Sequence, residues 1–513
     1  MRFRFPGGRA LVAILALALC THPLCAPAPA QKAGPELRPV DLPAATAPAP
    51  AFTRDIPGDG IAESNYVMRP FGQVNVFRPQ GNPRGVVLVL SGDGGWSPVE
   101  VAMSRALAAK GMLVGGVSTT ALMKALEASK GSKCVNPNYP LIDLSQDLQH
   151  RMGVRAYMKP ILFGWSSGAT VAYAALAQWP NAGYQAVASL GFSADLPGVK
   201  PWCKAPGFAY RPIAKPEKGW LFSPNPQVKV PWIVLQGQQD QVVSPAAARS
   251  FALKVPTAHL IELPRVGHGF AMQNQWLPQF MTTLDPMLAR AAPQEDAALP
   301  AGLPLTIVPA RPGTATRNAD TMAVLYSGDG GWVGLDRDVA GQLAAAGIPV
   351  VGMDSLSYFW SARTPRGAGA DLSRIVSRFS ARWHRPRVLL VGYSFGADVM
   401  PYMIANMAPA ARARIAGVTL LGLSPSADFQ FHLTSWLDIS SGDSLPTVPA
   451  VARLSGLPVR CVRGAQESDS ACAALPRNSA TVVVVPGGHH FDRNAPLLAR
   501  IILGGQPPAA TRT

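Results

Sequence analysis

Past residue 30 the 513-residue chain has no apolar run long enough to cross a bilayer, so helical membrane spans beyond a leader are not expected. Charge is sparse: 15% of residues are Asp, Glu, Lys or Arg, while 48% are hydrophobic, a balance too apolar for wholesale disorder. Cysteine is scarce as well. None of the six has histidines at the spacing a zinc site needs, and no metal is expected. The chain also lacks a long basic run or an array of alternating aromatic and basic residues, which argues against nucleic acid as a partner. No G-x-G-x-x-G occurs, and no glycine-rich loop is followed by Lys-Ser/Thr, so neither a dinucleotide nor a nucleotide phosphate has its usual cradle. No organic cofactor is expected.

What is present begins with a leader. Arg2 and Arg4 precede an apolar run at 10–20, and small residues end in A-P-A at 28–30, the shape of a secretory signal peptide over 1–30. Acylation of Cys20 is an alternative, but Leu19 occupies a place where a lipoprotein signal wants a small residue. Removing the leader takes Cys20 and Cys25 with it and leaves four cysteines, two in each half. An exported chain of this kind is expected to form disulfides: Cys461 with Cys472 across a short loop, and Cys134 with Cys203 across longer insertions. A formal charge of +16 in such a protein favours approach to an anionic inner-membrane surface.

The chain also writes one sentence twice. S-G-D-G-G-W occurs at 91–96 and 327–332, each time after an apolar, strand-like run. G-W-S-S-G at 164–168 answers to G-Y-S-F-G at 392–396, and a G-x-x-D/E and a G-H follow in the same order. The spacing between counterparts shrinks steadily along the chain, as a few loop deletions in the second copy would make it. Two domains of about 200 residues are implied, each large enough for one core. After a Pro/Ala-rich spacer at 31–51 we expect an N-terminal domain at 52–290, a linker at 291–312 and a C-terminal domain at 313–506, although L-T-I-V at 305–308 reads as an edge strand. Apolar β-rich runs at 85–90, 113–117, 161–164, 186–191 and 232–236 alternate with helical stretches, and the second half repeats the alternation from 321 to 485. The predicted fold class is α/β: two tandem α/β-hydrolase domains, each a mostly parallel sheet with helices on both faces.

The chemistry is written at the elbows. In V-L-L-V-G-Y-S-F-G-A-D-V-M a strand meets a serine between glycines and then a helix, the context that lifts a hydroxyl out of a strained turn. Ser394 is therefore the candidate nucleophile. A hydroxyl needs a base oriented by a carboxylate. The base is His489 or His490 in P-G-G-H-H-F, with His489 aligned to His268 of the first half; the acid is Glu467, aligned to Asp240, or Asp469 just beyond. The glycine loop is placed to supply oxyanion donors around Asp329 and Gly330, joined by the N–H of Phe395. Ser166, Asp240 and His268 form a possible second site, with Asp93, Gly94 and Ser167 as its donors, and the insertions around Cys134 and Cys203 are expected to reshape or cover it. Trp96 and Trp332 read as core residues.

These motifs, with Y-F-W-x-x-R-T-P at 358–365 and A-D-L at 370–372, resemble the VirJ/AcvB family of exported bacterial virulence-associated proteins. The shorter VirJ form is similar to the second half alone, the two-domain AcvB form to the whole chain. The resemblance implies an α/β-hydrolase in the periplasm that hydrolyses aminoacylated phosphatidylglycerol, with Ser394, His489 or His490, and Glu467 or Asp469 at its site. Such an ester, an activated acyl group displayed at the outer face of the inner membrane, suits an exported esterase with a basic surface. Two other readings remain: a periplasmic binding or chaperone protein associated with type IV secretion components, and a generic secreted lipase or esterase.

Overall fold

The computed structural model describes residues 54–55, 60–130, 132–180, 183–213, 218–291, 302–313, 318–431 and 444–505. The leader, the spacer and Cys20 lie outside these, as do residues 292–301 of the segment between the halves.

The first half builds a nine-stranded sheet in the order Arg54–Asp55, Ala62–Met68, Gly72–Arg78, Met112–Val117, Gly85–Leu90, Ile161–Trp165, Ala186–Leu190, Trp232–Gly237 and Ala258–Leu263. From Met112–Val117 onward every pairing is parallel. Strands such as Gly85–Leu90 are buried along their whole length, as parallel strands covered on both faces must be. The alternation is visible in the core: Val86, Leu88 and Leu90 pack into one hydrophobic cluster, Val87 and Val89 into the other. The sheet with helices on both faces is the predicted class.

The second half repeats the scheme with seven strands, ordered Leu305–Val308, Val350–Met353, Thr321–Tyr326, Arg387–Tyr393, Ile415–Leu421, Val459–Gly464 and Thr481–Val485. Only the edge strand Leu305–Val308 is antiparallel, paired with Val350–Met353. The second sheet thus begins inside the segment expected to be linker, because an apolar run beside an unpaired sheet edge satisfies that edge's backbone groups.

The tryptophans of the glycine loops pack against a glycine of the neighbouring strand. A Cβ on Gly116 would lie 1.8 Å from the Trp96 ring, and one on Gly352 would lie 2.2 Å from Trp332, so each indole occupies the room a strand glycine leaves. Two disulfides form as expected, Cys134 to Cys203 and Cys461 to Cys472. The halves meet at Trp360, within the Y-F-W-x-x-R-T-P stretch. Its indole Nε1 donates to the Val154 carbonyl at 2.8 Å, and its ring stacks on His150 at 3.9 Å between centroids. Leu356 and Phe431 complete this apolar seam with Tyr157.

Candidate active site

Ser394 stands between the strand Arg387–Tyr393 and the helix Phe395–Ala405, with φ 52° and ψ −122°. A non-glycine residue held there is strained, and the surrounding glycines are what permit it. A Cβ on Gly396 would come 2.4 Å from the Tyr326 carbonyl oxygen, and one on Gly392 would come 2.4 Å from the Gly396 carbonyl oxygen.

The Ser394 hydroxyl reaches His489 Nε2 at 2.9 Å, and His489 Nδ1 reaches Glu467 Oε1 at 2.5 Å. The second oxygen of Glu467 accepts the Gly464 N–H at 3.0 Å, so this buried carboxylate is fixed from both ends. Gly422 leaves room for the imidazole: at φ 67° its added Cβ would lie 2.7 Å from His489 Cε1. His490 faces elsewhere and is hydrogen-bonded through Nδ1 to the Tyr393 hydroxyl at 2.6 Å. Asp469 is exposed on the rim. Of the alternatives left open by the sequence, the geometry joins Ser394, His489 and Glu467 and leaves His490 and Asp469 aside.

The electrostatics follow from burial and pairing. Burial disfavours a charged His489, but the hydrogen bond and charge of Glu467, with Asp329 and Asp398 nearby, overcome it and raise the histidine pKa. Burial likewise opposes the Glu467 carboxylate; His489 and the Gly464 N–H outweigh it and lower its pKa. His490 is lowered, by burial first and then by the charges of His489 and Arg493.

The glycine loop lies against the nucleophile, with an added Cβ on Gly328 falling 3.4 Å from Ser394 Cβ. Asp329 sits there with its carboxyl raised by burial, an effect opposed by His489 and by the N–H groups of Asp329 and Gly330. Those two N–H groups and that of Phe395 are the expected oxyanion donors. A residue missed by sequence reasoning steadies each loop. In the first half, buried Glu100 accepts the Gly92 N–H at 3.0 Å and the Ser97 N–H at 2.9 Å. Its counterpart in the second half is buried Asp336, whose carboxyl is driven up by burial against the Gly328 N–H. The signal was available: both acids stand at the same distance behind the first glycine of the loop.

The first half assembles an equivalent chain. Ser166 has φ 55° and ψ −122°, its hydroxyl meets His268 Nε2 at 2.9 Å, and His268 Nδ1 meets Asp240 Oδ2 at 2.9 Å. Asp240 also accepts the N–H groups of Val242 and Val243, both at 2.9 Å. Ser167 follows this serine, and Asp93 and Gly94 stand in its glycine loop, as Phe395, Asp329 and Gly330 do for the other.

A cavity of about 750 Å³ opens over Ser394 and His489. Its lining carries Asp143, Asp329, Asp336, Asp398, Asp428 and Asp469, and among the described residues lining it Arg493 is the single guanidinium. In a chain of net charge +16 the lining is rich in carboxyls, and burial holds Asp143, Asp329, Asp336 and Asp398 toward their neutral forms. Burial pushes Asp398 up to about 8, against the N–H of Ser424, which it accepts at 2.7 Å. Among the described residues no group of three or more His, Cys, Asp or Glu side chains is arranged to hold a metal ion.

An elbow serine bonded to histidine and a carboxylate, on a parallel sheet of this strand order, defines the α/β-hydrolase class. Within that class, residues 320–507 match the family described as "Bacterial virulence protein (VirJ)". A comparison with curated proteins gave no match. Solved structures similar to part of this chain include Est1E from Butyrivibrio proteoclasticus, at 14% identity, covering 44% of this chain and 99% of that one with a TM-score of 0.31. Another is a putative dienelactone hydrolase from Klebsiella pneumoniae, at 14% identity, covering 45% and 99% with a TM-score of 0.33. A third is a serine hydrolase without a lid from Xanthomonas campestris, at 18% identity, covering 46% and 97% with a TM-score of 0.29.

Proposed function

We propose that the protein is a periplasmic serine esterase that removes the amino acid from aminoacylated phosphatidylglycerol, lysyl- or alanyl-phosphatidylglycerol, through Ser394. The observation that carries this reading is the hydrogen-bonded chain Ser394, His489, Glu467 opening into a cavity rich in carboxyls. An aminoacyl ester brings an ammonium group beside its carbonyl, and a cavity lined by six carboxyls favours such a substrate over a fatty acyl ester.

In the reaction, Ser394 Oγ attacks the ester carbonyl while its proton passes to His489 Nε2, and Glu467 stabilises the imidazolium. Backbone N–H groups of the glycine loop and Phe395 receive the oxyanion. Collapse breaks the bond to the glycerol oxygen, which takes the proton from His489 and leaves as phosphatidylglycerol. Water, deprotonated by His489, then releases the free amino acid from the acyl-enzyme and restores the serine. The first domain is proposed to dock on the membrane or support the second.

The two disulfides support export to an oxidising compartment. Among the described residues no helix is long and apolar enough to cross a membrane. The net charge of +16 supports work at an anionic lipid surface. The test is incubation of the purified protein with vesicles containing lysyl- or alanyl-phosphatidylglycerol, followed by lipid chromatography. Phosphatidylglycerol and free amino acid should appear, and should not with Ser394→Ala. Turnover of simple soluble esters without either lipid would favour the generic esterase, and no ester turnover at all would favour a binding protein associated with type IV secretion components.

A further inference from the structure

We propose that the N-terminal domain selects the substrate of the Ser394 site, with Asp143 receiving an ammonium group on the acyl side chain; the proposal rests on Ser394 being the nucleophile. The cavity over Ser394 is not a property of one domain. Tyr139, Ile142, Asp143 and Gln146 line it from the helix Asn138–Arg151, and Trp179 lines it from the end of the helix Ser167–Gln178. The four helical positions are spaced three, four and seven residues from the first, so they form one face turned to the cavity. That face is held in place on either side. Cys134, just before the helix, is bonded to Cys203; His150, at its end, stacks on Trp360 of the other domain, whose indole also binds the Val154 carbonyl.

On this wall Asp143 is half-buried and faces the charge of Asp329 across the domain boundary. Burial first, and Asp329 second, push its carboxyl up to about 7, and among the described residues no cation offsets them. Two carboxylates that repel one another across a cavity are both relieved by an ammonium between them. Tyr139 and Trp179, with ring centroids 6.3 Å apart, add an aromatic surface beside them for the methylene stem of a basic side chain. A substrate side chain of the same length without the amine gains only the apolar part.

The test compares p-nitrophenyl esters of lysine and norleucine, which differ by the terminal amine, on the full-length protein and on Asp143→Asn. The wild type should favour the lysine ester in kcat/KM, and the substitution should cut that preference by about tenfold or more, the worth of one charge-assisted hydrogen bond. A ratio unchanged in Asp143→Asn, or no lysine preference in the wild type, overturns the proposal. Because the ratio is internal to each protein, a general loss of activity does not imitate the effect. Should neither ester turn over, calorimetric binding of lysinamide against norleucinamide to both proteins reads the same selectivity. In that case the serine-esterase reading fails, and the binding data alone decide whether Asp143 receives the ammonium group. Lysine selectivity carried by Asp143 without hydrolysis of the lipids would separate the two in the same way.

Discussion

Replacing Glu467 with Gln tests the acid and the base together. The Gly464 N–H needs an acceptor, and in the wild type it has Glu467 Oε2 at 3.0 Å. A glutamine would give its carbonyl oxygen to Gly464 and turn its NH2 toward His489 Nδ1, which would then have to accept. The imidazole proton moves to Nε2, and the nitrogen facing Ser394 ceases to be a base. The expected loss in kcat is about 10⁴-fold, on the order of 5 kcal/mol in the barrier. The pH profile supplies a second reading. Only neutral His489 accepts the serine proton, and its folded pKa is raised above 6.5, so wild-type kcat/KM should rise with pH through an apparent pKa above that value. Without the Glu467 charge, burial dominates and the inflection should move to lower pH. The assay is ester hydrolysis from pH 5 to 9 by wild type, Glu467→Gln and Asp469→Asn. A plateau reduced less than tenfold, or an inflection that does not move, refutes the assignment. If Asp469→Asn produces the loss instead, the exposed rim aspartate is the acid.

Ser394→Ala should abolish aminoacyl-lipid hydrolysis, by about 10⁶-fold on the scale of triad knockouts, while Ser166→Ala should cost far less on the same vesicles; equal losses would mean two working sites. Digestion without reductant should yield peptides joining Cys461 to Cys472 and Cys134 to Cys203, and free thiols at all four would remove the oxidising-compartment reading. Asp398 should make stability fall with rising pH. Its folded pKa of about 8 exceeds the ordinary 3.8, so the stabilisation is complete at low pH and lost as pH climbs through that interval. Asp398→Asn should therefore raise Tm at pH 9 and not at pH 4, and a gain of equal size at both would show that the effect is not titration.

The elbow was readable because its physics is local. Only glycine fits at 392 and 396, where backbone oxygens stand within 2.4 Å of any Cβ, and a strand and a helix adjoin in sequence. The buried parallel strands were readable for a similar reason, being short continuous apolar runs. The hairpin of Ala62–Met68 and Gly72–Arg78 was not, because its half-exposed alternation carries a weaker signal, and the three-stranded sheet of Asp195–Pro197, Tyr210–Ile213 and Gly219–Phe222 escaped with it. His489 and His490 are neighbours of the same type, and what separates them is distant in sequence: Tyr393 engages one, and Gly422 makes room for the other. Glu467 prevails over Asp469 through its place: it is buried between the Gly464 N–H and the imidazole, where Asp240 sits in the first half, while Asp469 is exposed two residues on. Asp143 was beyond reach, since nothing local marks a helix of one domain as the wall of another domain's site.

The two copies have kept the same machinery and diverged in what surrounds it. Both hold an elbow serine, a histidine, an acid and a carboxyl that pins the glycine loop, so a requirement for chemistry alone does not account for the difference between them. The helix Asn138–Arg151 carries its own ion pair, Asp147 with Arg151 at 2.7 Å, in which an acid is neutralised within the first domain. Asp143, one turn earlier, has no such neutralisation and faces Asp329 instead. A carboxyl kept where it costs stability is more readily explained by a ligand than by the fold. On that view the first domain acts on Ser394 turnover through its helix face, independently of its own serine. Asp143→Asn and Ser166→Ala should then separate: the first changes which ester is preferred, and the second leaves that preference as it was.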